Sequence, residues 1–238
     1  MNMRCQILAS DYDGTLAHHG VLDAETTAAL DRFRATGRRV IMVTGRELPD
    51  LQRACSVLDR FDWIVAENGA LLYRPSDQFS RLLCPPASAA LAQKLGEAHA
   101  QPLSVGSAII ATHEPHETLV IQLIKKLGLE LQVIFNKGAV MVLPTGVDKA
   151  TGLHAVLKEM AIDPANVVGV GDAENDHAFL SACGVGVAVA NALPMLKEHA
   201  DLVTTGARGF GVIELINRII ATDLAEIPAR KASAAALT

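Results

Sequence analysis

The chain has 238 residues, half of them hydrophobic and 20% charged, with a net charge of −5; that allows a packed core with a smaller insert and excludes wholesale disorder. Acids and bases are interspersed without a basic block, which argues against nucleic acid as the main partner. No apolar run reaches membrane-spanning length, Met1–Ser10 is too weakly apolar for a signal peptide, and Cys5, Cys55, Cys84 and Cys183 stand too far apart for a disulfide framework or a zinc site, so a cytoplasmic protein is expected.

Taken in chain order, the first element is the apolar run Ile7–Ala9, followed by a helix that Asp23 caps and that places Ala29, Leu30 and Phe33 on one face. Val40–Val43 and Trp63–Ala66 are further apolar runs without alternation, as strands buried on both faces require. The stretch 79–145 differs. A helical segment near Ser88–His99 leads to an apolar run at Val105–Ala111, then to a helix with Leu119, Leu123 and Leu127 in line and Gly128 as C-cap. Leu131–Phe135 and Ala139–Leu143 flank Asn136-Lys137-Gly138, a hairpin turn. After Lys149 the spacing of Leu153, Val156, Leu157 and Met160 predicts a helix, and Val167–Val170 is one more buried strand. The pattern predicts an α/β protein: a Rossmann-like, doubly wound parallel sheet over 1–78 and 146–226, a small α+β insert over 79–145, and an Ala-rich flexible tail or linker over 227–238.

Parallel strands end on a shared edge, where ligands bind. The residues after the apolar runs are Asp11, Thr44, Glu67 with Asn68, and Asp172, so unrelated stretches are expected to deliver acids, a hydroxyl and an amide to one crevice. In Asp11-Tyr12-Asp13-Gly14-Thr15 the two carboxylates alternate and can face one site, one to attack phosphorus and one to handle a leaving group's proton. A solvated Asp-Gly turn is the competing reading. A calcium loop starting at Asp11 is excluded, since its sixth and twelfth positions are Leu16 and Leu22. In Gly171-Asp172-Ala173-Glu174-Asn175-Asp176 the acids suit Mg²⁺, or else merely decorate a helix N-terminus. Lys149 can neutralise a carboxylate and phosphoryl oxygens, and Thr44-Gly45-Arg46 can hold phosphate, although an exposed lysine and an ordinary strand-to-helix turn remain open for these two.

In this order, Asp11-x-Asp13-Gly-Thr15, Thr44-Gly-Arg46, Lys149 and Gly171-Asp172-x-x-Asn175-Asp176 resemble the haloacid dehalogenase (HAD) superfamily. Glu67-Asn68-Gly69-Ala70 and the placement of the insert resemble its Cof-type, subclass IIB phosphatases. The resemblance implies an α/β cap and a phosphatase for a small phosphorylated metabolite, a sugar phosphate or a phosphoglycolate-like ester, working through an aspartyl-phosphate. It implies Asp11 as nucleophile, Asp13 as general acid/base, and Thr44, Gly45 and Lys149 as phosphate binders. Mg²⁺ would rest on Asp11, the Asp13 main-chain carbonyl and Asp172, with Asp176 in support. Arg46, Asn68 and Asn175 on the core, and His113, Glu114, Asn136 and Lys137 on the insert, are candidate substrate contacts. A phosphotransferase or phosphomutase, and a non-catalytic phosphate-sensing domain fused within a longer chain, are the alternatives.

Overall fold

Four consecutive buried residues, Ile7–Ser10, form the central strand β1, flanked on both sides by parallel neighbours. The computed structural model describes residues 3–228 and 230. After β1 come α1 (Ala24–Ala35), β2 (Arg39–Val43), α2 (Leu48–Ala54), β3 (Trp63–Ala66), β4 (Leu71–Arg74) and β5 (Phe79–Leu82). Next are α3 (Ala89–Glu97), β6 (Ser104–Val105), β7 (Ile110–His113), α4 (Glu117–Leu127), β8 (Leu131–Asn136) and β9 (Ala139–Pro144). The chain closes with α5 (Lys149–Met160), β10 (Val167–Gly171), α6 (His177–Ala182), β11 (Val185–Ala188), α7 (Pro194–His199), β12 (Leu202–Val203) and α8 (Gly209–Thr222).

The larger sheet has the order β12-β11-β10-β1-β2-β3-β4-β5, parallel from β12 to β3 and antiparallel from β3 to β5. Helices cover both faces, so its central strands read as unbroken apolar runs rather than alternating ones. The expected caps are present. The Asp23 carboxylate accepts from Thr26 N, and Gly128 ends α4 in the left-handed region at φ 64°. A second, antiparallel sheet, β6-β7-β9-β8, packs Ile110, Val140 and Val142 against Leu91 and Leu95 of α3 and Val120 and Ile124 of α4. It therefore carries its own small core. Among the described residues no helix is long and apolar enough to cross a membrane.

Three expectations are corrected. The insert begins later than residue 79, because Phe79–Leu82 pairs with β4 and extends the larger sheet. Hairpin β4–β5 escapes the sequence because its second strand is mostly exposed and lacks an apolar run. The run Val105–Ala111 is broken, with residues 106–109 forming a loop between β6 and β7. Ile227, expected to open a flexible tail, is buried in the main core, and Arg230 donates to Asp201, Leu180 O and His199 O. Residue 229 and residues 231–238 of that expected tail lie outside the described residues.

One backbone junction sets the position of the crevice. After β3, Glu67 and Asn68 both adopt positive φ, at 49° and 53°, and Gly69 follows at 108°. A Cβ on Gly69 would collide with the carbonyl of Asp148, where the chain returns from the second sheet. Asp148 then caps α5 in a reciprocal box with Thr151, which places Lys149 at the first turn. The glycine thus lets the strand end and the helix start touch.

Candidate active site

Asp11 lies directly beyond the C-terminal end of β1, and its side chain is almost wholly buried. From the start of α5 the Lys149 ammonium reaches under the sheet edge, 2.6 Å from Asp11 Oδ1 and 2.6 Å from Asp176 Oδ1. Lys149 is 1% exposed, so it is no surface lysine. Asp172, beyond β10, completes the cluster. One carboxylate oxygen from each of Asp11, Asp172 and Asp176 lies within 4.8 Å of the others. Residues 174–176 form a 3-10 turn that folds Asp176 back towards Asp172. Asp176 Oδ2 accepts from the main-chain N–H groups of Asp172 and Ala173 at 2.8 and 2.9 Å, which fixes the loop that presents Asp172.

Electrostatics in this cluster are unbalanced. Burial first, and then the Asp176 and Asp172 carboxylates, push Asp11 up to about 8 against the lowering effect of Lys149. Asp172 is raised too, mainly by burial, with Lys137 opposing. Lys149 is held above its ordinary value; burial works against its charge, but Asp11 and Asp176 outweigh it. Carboxylates in excess of ammonium groups leave the cluster short of positive charge. A divalent cation meets that shortage, and the all-oxygen donor set suits a hard ion rather than a thiophilic metal. The residues fit the ion.

A cavity of about 610 Å³ opens above Asp11 between the two sheets. Asp13, Thr44, Gly45 and Arg46 line it from the larger sheet, and His113, Asn136 and Met141 from the second. Arg46 grips Asp13 through two bonds, Nε to Oδ2 at 2.6 Å and Nη2 to Oδ1 at 2.8 Å, and also donates to Asp50 at 2.7 Å. Lys137, at the tip of the β8–β9 hairpin, donates to Asp172 Oδ2. Asn68 and Asn175 lie behind this surface, joined by one 2.9 Å bond from Asn175 Nδ2 to Asn68 Oδ1. Among the described residues their remaining atoms, Asn68 Nδ2 and Asn175 Oδ1, have no partner. Glu114 is exposed and does not line the cavity, so it is not brought to the site.

Glu67 departs from expectation. Its carboxylate turns away from Asp11 and accepts from the main-chain N–H groups of Ser107, Ala108 and Ile109 at 3.0, 2.7 and 3.1 Å, tying the β6–β7 loop to the larger sheet. Asn191, not singled out from the sequence, donates to Gly14 O at 2.9 Å and to Asp172 Oδ2 at 3.2 Å. The strand-end rule applied to Val185–Ala188 would have led to its neighbourhood. Glu47, Asp50 and Arg53 also line the cavity from or beside α2; their spacing of three after Arg46-Glu47 was the available signal.

The family model for haloacid dehalogenase-like hydrolases matches residues 8–101 and 93–216. This chain belongs to that family. The insertion of the second sheet between β5 and α5 agrees with the Cof-type, subclass IIB arrangement, and a subclass IIB sugar phosphatase shares the fold. The chain is 30% identical over 223 residues to phosphoglycolate phosphatase 2 of Saccharolobus solfataricus, covering 90% of this chain and 92% of the relative. It is 34% identical over 222 residues to a phosphoglycolate phosphatase of Haloarcula marismortui, covering 88% and 95%. A haloacid dehalogenase-like hydrolase from Bacteroides thetaiotaomicron superposes with a TM-score of 0.75 at 20% identity, covering 90% and 99%. As a HAD hydrolase of this fold, the chain presents its acidic cluster where the strand ends of the larger sheet converge.

Proposed function

We propose that the chain is a magnesium-dependent phosphatase for a small phosphomonoester that also carries a carboxylate, of the phosphoglycolate type. The observation that carries this reading is Asp11, set between Lys149 and Asp172 at the floor of the cavity. The relatives' names supply the substrate class.

In this mechanism Lys149 holds the Asp11 carboxylate in place and, with Thr44 and the N–H groups entering α2, receives phosphoryl oxygens. Mg²⁺, when bound by Asp11, the Asp13 carbonyl and Asp172, would supply charge neutralisation for the phosphoryl group. Asp11 attacks phosphorus in line and the P–O bond to the leaving group breaks. Asp13 gives its proton to the departing oxygen, then takes one from the water that cleaves the aspartyl-phosphate. Arg46, which grips both Asp13 oxygens in the structure, holds the carboxylate at the cavity wall and must free one oxygen for Asp13 to carry the proton. Asp176 acts by orienting Lys149 through Oδ1 and the Asp172 loop through Oδ2. The second sheet serves as a cap that narrows access and excludes water, with His113 and Asn136 facing the leaving group.

A panel of phosphomonoesters tests this reading. We expect hydrolysis of p-nitrophenyl phosphate and of 2-phosphoglycolate in Mg²⁺, loss of both on chelation, and recovery on adding Mg²⁺ back. Catalytic efficiency should be highest for the carboxylate-bearing ester. Full activity in excess chelator, or a preference for bulky sugar phosphates, would rule it out.

A further inference from the structure

The cations around the cavity are committed to different extents. Lys149 is shared between Asp11 and Asp176, Arg46 between Asp13 and Asp50, and Arg53, mostly exposed, is paired with Asp50 on the α2 side, away from the metal cluster. Lys137 differs. Among the described residues its ammonium donates to Asp172 Oδ2 alone, while 45% of its side chain stays exposed. It rides on a tight hairpin whose two central residues, Lys137 and Gly138, both take positive φ, at 48° and 85°. Such a turn fixes the backbone at its tip, so the reach of the lysine is set by its own side-chain rotamers alone. At the other end, Asp172 is fully buried and also accepts from Thr15 Oγ1 at 3.3 Å and Asn191 Nδ2 at 3.2 Å. Gly14 stands against both partners: a Cβ there would run into Asp172 and lie 3.0 Å from the Lys137 nitrogen.

Lys137 therefore occupies the position of a cation on a carboxylate proposed to hold the metal. A divalent ion and an ammonium cannot share one carboxylate cheaply, because their charges repel at contact distance. We infer that Lys137 is a substrate-selecting cation, held on Asp172 in the metal-free protein and released by the metal to pair with the carboxylate of the substrate. The inference rests on the phosphatase reading above and adds to it the residue that recognises the substrate's second anionic group. The hairpin tip borders the cavity through Asn136, so the released ammonium meets the leaving-group side, opposite the phosphate floor of Lys149 and Thr44. Reciprocity follows: what removes Lys137 must favour the metal, and what binds the metal must favour the carboxylate.

Two measurements on the full chain test this. In calorimetric titration of the metal-free protein with MgCl2, Lys137→Met should bind Mg²⁺ about tenfold more tightly than the natural sequence, a coupling of ordinary size. In kinetics, the same substitution should lower the ratio of kcat/KM for 2-phosphoglycolate to that for p-nitrophenyl phosphate by about tenfold or more, mostly through KM. Unchanged or weaker Mg²⁺ binding by the variant would overturn the competition, and an unchanged ratio would overturn the recognition. If the natural protein itself shows no preference for carboxylate-bearing esters, the substrate class proposed above fails, and the calorimetry still decides whether Lys137 competes with the metal.

Discussion

Asp11→Asn is expected to reduce kcat by at least about 10⁴-fold while leaving the protein folded. The amide occupies nearly the same volume but cannot attack phosphorus, so the first half-reaction is lost rather than slowed by misplacement. Stability should move the other way. Asp11 is buried beside two further carboxylates and its pKa is raised to about 8 from an ordinary 3.8. The folded state then binds a proton that the unfolded chain releases, so its stability declines as pH rises from about 4 to about 8. Asparagine removes that slope. The metal-free variant should therefore melt at or above the natural protein's temperature at pH 8, measured by circular dichroism. A kcat within tenfold of the natural value would remove the nucleophile assignment.

The second large effect belongs to Lys149. Lys149→Met keeps the length of the side chain but leaves Asp11, Asp172 and Asp176 facing one another with their buried cation gone. Removing one partner from a buried ion pair typically costs about 3–5 kcal/mol, because the desolvated charge left behind has no compensation. The loss should depend on pH in a defined direction. Without the ammonium, Asp11 takes up its proton over a wider range, so the deficit grows as pH rises from about 5 to 8 and shrinks on acidification. The lysine's own deprotonation plays no part below its ordinary value of 10.5, since the folded-state value lies above that. Turnover should fall with stability, because the same ammonium is expected to receive the phosphoryl oxygens. Equal melting temperatures for variant and natural protein at pH 8 would show that Lys149 is not the cluster's counter-charge.

The parallel core was legible because strands buried on both faces must be apolar throughout, and Val40–Val43, Trp63–Ala66 and Val167–Val170 all fall within or coincide with observed strands. The acidic centre was legible for a related reason: residues that follow such strands share one edge, which brings Asp11 and Asp172 together although they lie far apart in the sequence. Direction of side chains was not legible. Glu67 follows β3 as Thr44 follows β2, yet two successive positive φ angles swing its carboxylate onto the β6–β7 loop. Asn68-Gly69 marks a turn, but nothing in the local sequence says that Glu67 joins the left-handed backbone or which way its side chain then points. The grip of Arg46 on Asp13 and the reach of Lys137 to Asp172 depend on how elements distant in sequence meet. Hairpin β4–β5 was missed because an exposed edge strand carries no burial signal.

The central claim is that phosphorus is transferred to the side chain of Asp11 before water receives it. Rapid acid quench during turnover, followed by borohydride reduction and peptide mass spectrometry, reads this directly, since the reagent converts an acyl phosphate to homoserine. Homoserine is expected at position 11 and at no other acidic residue, and only when substrate and Mg²⁺ are both present. Reduction at a different carboxylate, or none at all in a preparation that is visibly hydrolysing substrate, would contradict it.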